Sequence, residues 1–178
     1  VMIREGAEMA NQFLPLSSLN DPRPENLWAW LEETSKRTGA TFLAMPHNSN
    51  LSLGRMFETT RSDGEPIDAA YARTRARWEP VAEITQVKGD SETHPSLSPT
   101  DEFADFETFA DLNGETADRA GDYVRSALLR GLEIEGRTGV NPYAFGLAGA
   151  TDSHTGLATA EERNFLGKFA FPSNPEDN

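Results

Sequence analysis

The chain contains no cysteine, which removes disulfides, thiolate metal sites and cysteine nucleophiles together. Histidine is scarce, with three in 178 residues, so any imidazole chemistry has to come from His47, His94 and His154. Basic residues are the minority, 16 against 29 acidic, giving a net charge of −13 and a pI near 4.6. That balance lacks the basic footprint of nucleic-acid binding, because a surface of this sign repels a polyanion. No apolar run reaches the length of a membrane span, and no signal peptide is visible. A Gly-x-Ser-x-Gly elbow, a phosphate-binding Gly-rich loop ending in Lys-Ser/Thr and a dinucleotide fingerprint are absent as well. Absence of cysteine leaves the compartment undetermined. The expectation is a soluble chain whose full-length parent is periplasmic or secreted.

What is present is globular in character. Hydrophobic content of 37% and charged content of 25% fit a folded chain, and residues 1–178 are long enough to bury a real core as one domain. Val1–Arg4 reads as a strand entered at once, which looks like the middle of something and predicts a fragment whose upstream part carried a targeting segment. A Pro-rich connection through Pro22 and Pro24 follows. Glu25–Thr38 reads as a helix, since Leu27, Trp30, Leu31, Thr34 and Thr38 share one face, Pro24 suits the start and Gly39 the stop.

Thr41–Met45 is a compact apolar strand ending at Pro46-His47-Asn48. Pro66–Trp78 reads as a helix and Val81–Val87 as a strand ending at Lys88-Gly89-Asp90. Glu115–Glu135 is the longest helix predicted, with Ala120, Tyr123, Val124, Ala127, Leu128, Gly131 and Ile134 as its buried stripe. Phe145–Ala148 reads as a buried strand, and Thr159–Leu166 as a short helix in the tail. Helix, glycine, apolar strand and polar loop in alternation is the rhythm of an α/β chain with parallel strands and flanking helices. In parallel sheets ligands bind at the carboxyl ends of the strands, so His47, Lys88, Asp90, Glu92, His94, Asp152 and His154 are expected to converge.

Each cluster admits two readings. Asp152 and His154 supply a carboxylate and an imidazole two residues apart, as one metal ion requires, or they are a capping Asp and a loop histidine. His47, with Asn48 and Asn50 as ligand-facing amides, is a metal or substrate group, or part of a turn that satisfies its own backbone. His94 beside Pro95 binds substrate or metal, or simply bonds to Asp90 or Glu92. Lys88 could hold an anionic oxygen and a carboxylate could act as base; the plainer reading of Lys88–Glu92 is a salt-bridged loop. Arg73 and Arg77 share a helix face while Arg75 points elsewhere, which reads as a solvated basic face. Phe103, Phe106 and Phe109 read as packing.

Four segments carry a family resemblance: Pro46-His47-Asn48-Ser49-Asn50, Lys88-Gly89-Asp90-Ser91-Glu92-Thr93-His94-Pro95, Asp101-Glu102-Phe103-Ala104-Asp105-Phe106-Glu107 and Gly149-Ala150-Thr151-Asp152-Ser153-His154-Thr155-Gly156. They resemble the hallmark segments of the DUF3604 family, which is similar in turn to the PHP (polymerase and histidinol phosphatase) metal-dependent hydrolases. The resemblance implies part of a distorted (β/α)7 barrel that holds zinc, manganese or iron at the carboxyl ends of its strands.

Residue by residue, it implies His47, Asp152 and His154 as metal ligands and likens Glu83 to a strand glutamate of that pattern. Lys88, Asp90, Glu92 and His94 belong to the DUF3604-type segments without a PHP counterpart and are read as substrate-side groups. Asp152, Lys88 and His94 are the catalytic candidates, and Asn48, Asn50, Asp90 and Glu92 face the substrate. The opening His-x-His of the PHP pattern has no counterpart before His47, so the chain resembles the carboxyl-terminal half of the barrel.

The expectation is a metal-dependent hydrolase of a phosphoester or another anionic ester, incomplete as a fragment. The alternative is a non-catalytic metal- or anion-binding fragment. In either case its open face would pair with the missing half or with a second copy.

Overall fold

The computed structural model describes residues 1–19, 21–109 and 119–152. In chain order its elements are β1 (Met2–Ile3), α1 (Ala7–Ala10), α2 (Pro24–Thr38), β2 (Phe42–Leu43), a 3-10 turn (Ser49–Leu51), α3 (Ala69–Trp78), β3 (Val81–Gln86), β4 (Gly89–Asp90), a second 3-10 turn (Arg119–Asp122), α4 (Val124–Thr138) and β5 (Gly146–Gly149). The architecture is mixed α/β. No described helix is long and apolar enough to cross a membrane. The helix expected over Thr159–Leu166 lies outside the described residues.

Local chemistry explains where the helices start and stop. Pro24 opens α2, where its missing N–H costs nothing, and Gly39 closes it at φ 79°, donating its N–H to Ser35 O at 2.8 Å. The helix predicted from Pro66 begins at Ala69 instead, because Asp68 caps it by accepting the Tyr71 N–H at 2.8 Å. α4 starts at Val124 rather than Glu115. Residues just before it are committed elsewhere: Asp122 accepts from Ser52 Oγ and Gly54 N, both at 2.6 Å, and Gly121 O accepts from Phe57 N at 2.9 Å. Those ties bind the 3-10 turn to the loop after β2, so it cannot serve as the first helical turn.

The strands form two small sheets among the described residues, β1–β2 antiparallel and β4–β3–β5. β3 and β5 are parallel, pairing Val81 with Gly146, Ala82 with Leu147 and Glu83 with Ala148; the register then slips so that Thr85, not Ile84, pairs with Gly149. Ile84 is the extra residue of this bulge. Two further hydrogen bonds, Ala44 N to Trp78 O at 2.7 Å and Glu83 N to Pro46 O at 3.0 Å, advance in one direction along both segments, so residues 44–46 run parallel to the approach and first half of β3.

The expectation of parallel strands therefore holds for this part and fails for β1–β2 and β3–β4, which are antiparallel. In the second case Val87-Lys88 is a hairpin turn, closed by the Gln86–Gly89 pair, rather than an open loop. Gly89 sits at φ +95°, and a Cβ there would stand 2.7 Å from Phe109 N and 2.9 Å from Glu107 O, so only glycine fits.

Two apolar clusters hold these pieces. Phe57, Ile67, Ala72, Ala82, Val124, Ala127, Ile134 and Tyr143 join α3, β3 and α4; Trp28, Leu31, Ala40, Phe42, Ala44 and Trp78 join α2 to the β2 strand. Tyr71 packs against both. Burying a side chain such as Leu31 or Phe57 contributes roughly 1.5–3 kcal/mol.

Two expectations about burial are corrected. β5 is not buried: Leu147 is 49% exposed, and the strand has a neighbour on one edge only among the described residues. Phe103 and Phe106 are exposed at 70% and 65% rather than packed. Arg73 and Arg77 are exposed, as a shared solvated face requires, and Arg75, which points elsewhere, is buried.

Candidate functional site

The parallel run of residues 44–46 along β3 delivers His47 to the side of Glu83. Glu83 is buried, and its Oε2 lies 2.7 Å from His47 Nδ1 and accepts the Asn48 N–H at 3.1 Å. An ionised carboxylate can only accept, so Nδ1 is the nitrogen that donates here, and in the neutral ring Nε2 is the one with the lone pair. Asn48 makes this grip possible by adopting φ 53°, a left-handed conformation that asparagine tolerates better than most residues. Its Oδ1 is buried without a hydrogen-bond partner among the described residues.

β5, parallel to β3, brings a carboxylate to the open nitrogen. Asp152 stands three residues past the strand at φ 54°, with Oδ1 3.9 Å from His47 Nε2 and Oδ2 paired with Lys88 Nζ. Lys88 is itself positioned through its backbone. Its N–H goes to Gln86 Oε1 at 3.0 Å, and its carbonyl accepts from Asn50 Nδ2 at 2.9 Å. Asn50 in turn accepts from Ser91 Oγ at 3.0 Å. The result is a compact set of one imidazole, two carboxylates and one ammonium. Its parts come from the end of the β2 run, the middle of β3, the β3–β4 turn and the segment after β5.

His47 also lines a cavity of about 500 Å3. Its walls include Leu27, Met45, Met56 and Tyr71, and its charged groups include Arg55, Arg75 and Glu79. The buried Arg75 is fixed from several directions: Nε to Glu79 Oε2 at 3.0 Å, Nη2 to Met56 O at 2.6 Å, and the Tyr143 ring 4.7 Å from its guanidinium carbon. Burial works against its charge, and Glu79 with the neighbouring tyrosine oxygens more than restores it, so its pKa stands above the ordinary value. Burial pushes the Tyr71 hydroxyl up as well.

The family model of a protein of unknown function, DUF3604, matches residues 1–178. The chain belongs to the DUF3604 family. No curated protein and no solved structure matches it.

Within this DUF3604 chain the expected convergence is selective. His47, Lys88 and Asp152 meet, with Glu83 beneath them. Asn50 is buried and holds the Lys88 turn rather than facing open space. Asp90 folds back on its own turn, accepting the Glu92 N–H at 2.9 Å, and burial raises its pKa. Glu92 pairs with Arg125 Nη2 at 2.6 Å, and Arg125 also reaches Asp101 at 2.6 Å.

Asp90 and Glu92 line a second cavity of about 370 Å3 with Thr93, Phe103, Phe106 and Arg125. His94 Nδ1 lies 2.8 Å from Ser96 Oγ, and its ring is 5.8 Å from that of Tyr123. His154 lies outside the described residues. No group of three His, Asp or Glu disposed to hold a metal is found among the described residues.

Two participants carry little sequence signal. Arg55 stands alone in a polar loop, and Arg75 is hidden in an Arg-x-Arg-x-Arg run that looks like a wet helix face. The one available clue to Arg75 is its i,i+4 spacing to Glu79.

Proposed function

We propose that the chain is the catalytic part of a metal-dependent hydrolase acting on a phosphoester or another anionic ester. The observation that carries this reading is the His47–Glu83 hydrogen bond with Asp152 facing the opposite ring nitrogen. A histidine whose Nδ1–H is held by a carboxylate is oriented and made more basic at Nε2, the arrangement favoured for metal-bound imidazole. Zinc bonds to nitrogen and oxygen are about 2.0–2.2 Å long, so donors 3.9 Å apart are within reach of one ion. Asn48, which follows His47 in the chain and whose Oδ1 is buried without a hydrogen-bond partner among the described residues, is proposed to add a further oxygen.

The residues present thus fit two members of a donor set for zinc, manganese or iron, and His154 is proposed as the third. A bound divalent ion would supply an activated water and polarise the ester. Glu83 keeps the His47 ring from turning. Lys88 balances the charge of Asp152 and steadies negative charge on the substrate. Asp152 is the proposed proton acceptor. His94, Asp90 and Glu92 stay in the proposal as more distant substrate-side groups, together with Asn48 and Asn50. Likeness to the PHP hydrolases and the half-barrel architecture belong to the same proposal.

A second reading, a binding fragment without turnover, draws support from the exposed β5 edge and from Leu129 and Leu132, 65% and 60% exposed on α4. Such a surface suits pairing with a missing half or a second copy.

Metal content after incubation with zinc or manganese tests the first reading. About one ion per chain is expected, lost in the His47→Ala/Asp152→Asn double variant and bound about 10–100-fold more weakly in Glu83→Gln. Equal metal in all three would sink it. Metal binding without turnover of any phosphoester or sulfate ester would favour the fragment.

A further inference from the structure

We propose that the cavity beside His47 is a subsite for an organic anion. Arg55 holds the charged group there, and Leu27, Met45 and Met56 hold an apolar body. This deepens the hydrolase reading by naming the substrate class, and rests on it only for calling the bound anion a substrate.

The volume of about 500 Å3 is that of a small-molecule site, and its wall sets apolar side chains beside charged ones. Most charges in the lining are already matched. Asp21 and Arg23 pair at 2.9 Å, and Arg75 and Glu79 at 3.0 Å. Glu58 has interactions of its own as well. Arg55 differs. Its backbone N–H is tied to Ser52 O at 3.3 Å, yet its guanidinium has no ion-pair partner among the described residues.

A chain of net charge −13 repels small anions at long range, so retention of one needs a local cation. A planar guanidinium binds phosphate, sulfate or carboxylate through two parallel hydrogen bonds. Its neighbours in the wall, Met45, Met56 and Leu27, offer an anion nothing but apolar contact. The ligand they suit therefore carries both a charge and a hydrophobic group.

Isothermal titration of the metal-free, chelator-treated chain with 1-naphthyl phosphate, 1-naphthol and inorganic phosphate tests this. Saturable binding of 1-naphthyl phosphate is expected, about tenfold or more tighter than either half alone. Losing a hydrogen bond to a charged group weakens it about tenfold or more in Arg55→Gln. Arg55→Lys recovers part of that loss, and Met56→Ser weakens 1-naphthyl phosphate and 1-naphthol together. Affinity unchanged in Arg55→Gln, or no saturable binding, overturns the subsite.

Two results separate it from the hydrolase reading. Arg55-dependent binding that persists in a metal-loaded chain without turnover supports the subsite and removes the hydrolase. Turnover of 1-naphthyl phosphate with a KM indifferent to Arg55→Gln keeps the hydrolase and removes the subsite.

Discussion

Arg75 shows what a single residue can be asked to hold. Its guanidinium satisfies Glu79, the Met56 carbonyl and the Tyr143 face at once, while Glu79 Oε1 also takes the Trp28 indole N–H at 2.9 Å. The ion pair therefore joins α3 to α2, to the loop after β2 and to the segment before β5. Removing one partner of a buried pair strands the other, at a cost of about 3–5 kcal/mol. Arg75→Leu is expected to lose that much in urea unfolding, whereas Arg73→Leu, exposed two residues earlier, should stay close to the parent. Sequence spacing alone sets Arg75 apart from Arg73 and Arg77 without saying what Arg75 packs against. Which face of a polar helix is wet depends on what lies against it, and Trp28 and Tyr143 are distant in sequence.

Among the elements, α2 is the most readable, and the reason is punctuation. Pro24 and Gly39 bracket α2, whereas α4, expected over Glu115–Glu135, runs over Val124–Thr138 and ends at Gly139, φ 74°. The glycines inside α4 are silent in sequence but differ in structure. A methyl at Gly131 would run into Asn141 Oδ1 and stand 3.1 Å from Tyr143 Cβ; at Gly136 nothing lies within 4 Å. Alanine is favoured over glycine in a helix by about 1 kcal/mol. Gly136→Ala is therefore expected to raise the unfolding midpoint, and Gly131→Ala to lower it by an overpacking cost of about 1–3 kcal/mol. Thermal melts of the two variants side by side check the sign of each.

Strands were less legible than helices. β2 pairs over two residues and β4 is a hairpin arm of two, lengths at which no hydrophobic period is visible. The sequence located His47, Lys88 and Asp152 because each closes an apolar run. It could not say that the Lys88 turn would carry Asp90 and Glu92 to a different cavity from His47.

At the scale of the whole molecule the acid-rich composition governs the response to pH. Asp101, held down by the Phe103 N–H and by Arg125, and Asp68, held down by the Tyr71 N–H, have lowered pKa values. Their contributions are present above the unfolded value and vanish as pH falls through the folded one. Asp68 is exposed and Asp101 partly so, and salt screens part of the effect.

Asp90 has the opposite sign. Its folded pKa is raised, chiefly by burial, so the folded state binds the proton more readily than the unfolded state. Its contribution is greatest below the ordinary aspartate value of about 3.9 and is lost as pH rises through the folded pKa. The stability difference between the parent and Asp90→Asn should therefore move against the parent between pH 4 and pH 7. Denaturant titrations at both values would show it, and a constant difference would contradict the assignment.

The bulge at Ile84 has a consequence for how this chain can change over generations. Glu83 lies before the slip in register and Lys88 after it, yet both serve the same small cluster with His47 and Asp152. Losing Ile84 would straighten the β3–β5 ladder yet leave Thr85 opposite Gly149, so every later side chain would keep its face. Lys88 would stay with Asp152 and Glu83 with His47. One residue lost between Thr85 and Lys88 has no such slack, because the turn that holds Lys88 against Asp152 would shorten instead. Lineages that keep the cluster are expected to vary in length at Ile84 or in the exposed turn at residues 62–66, and to hold the spacing from Thr85 to Lys88 fixed.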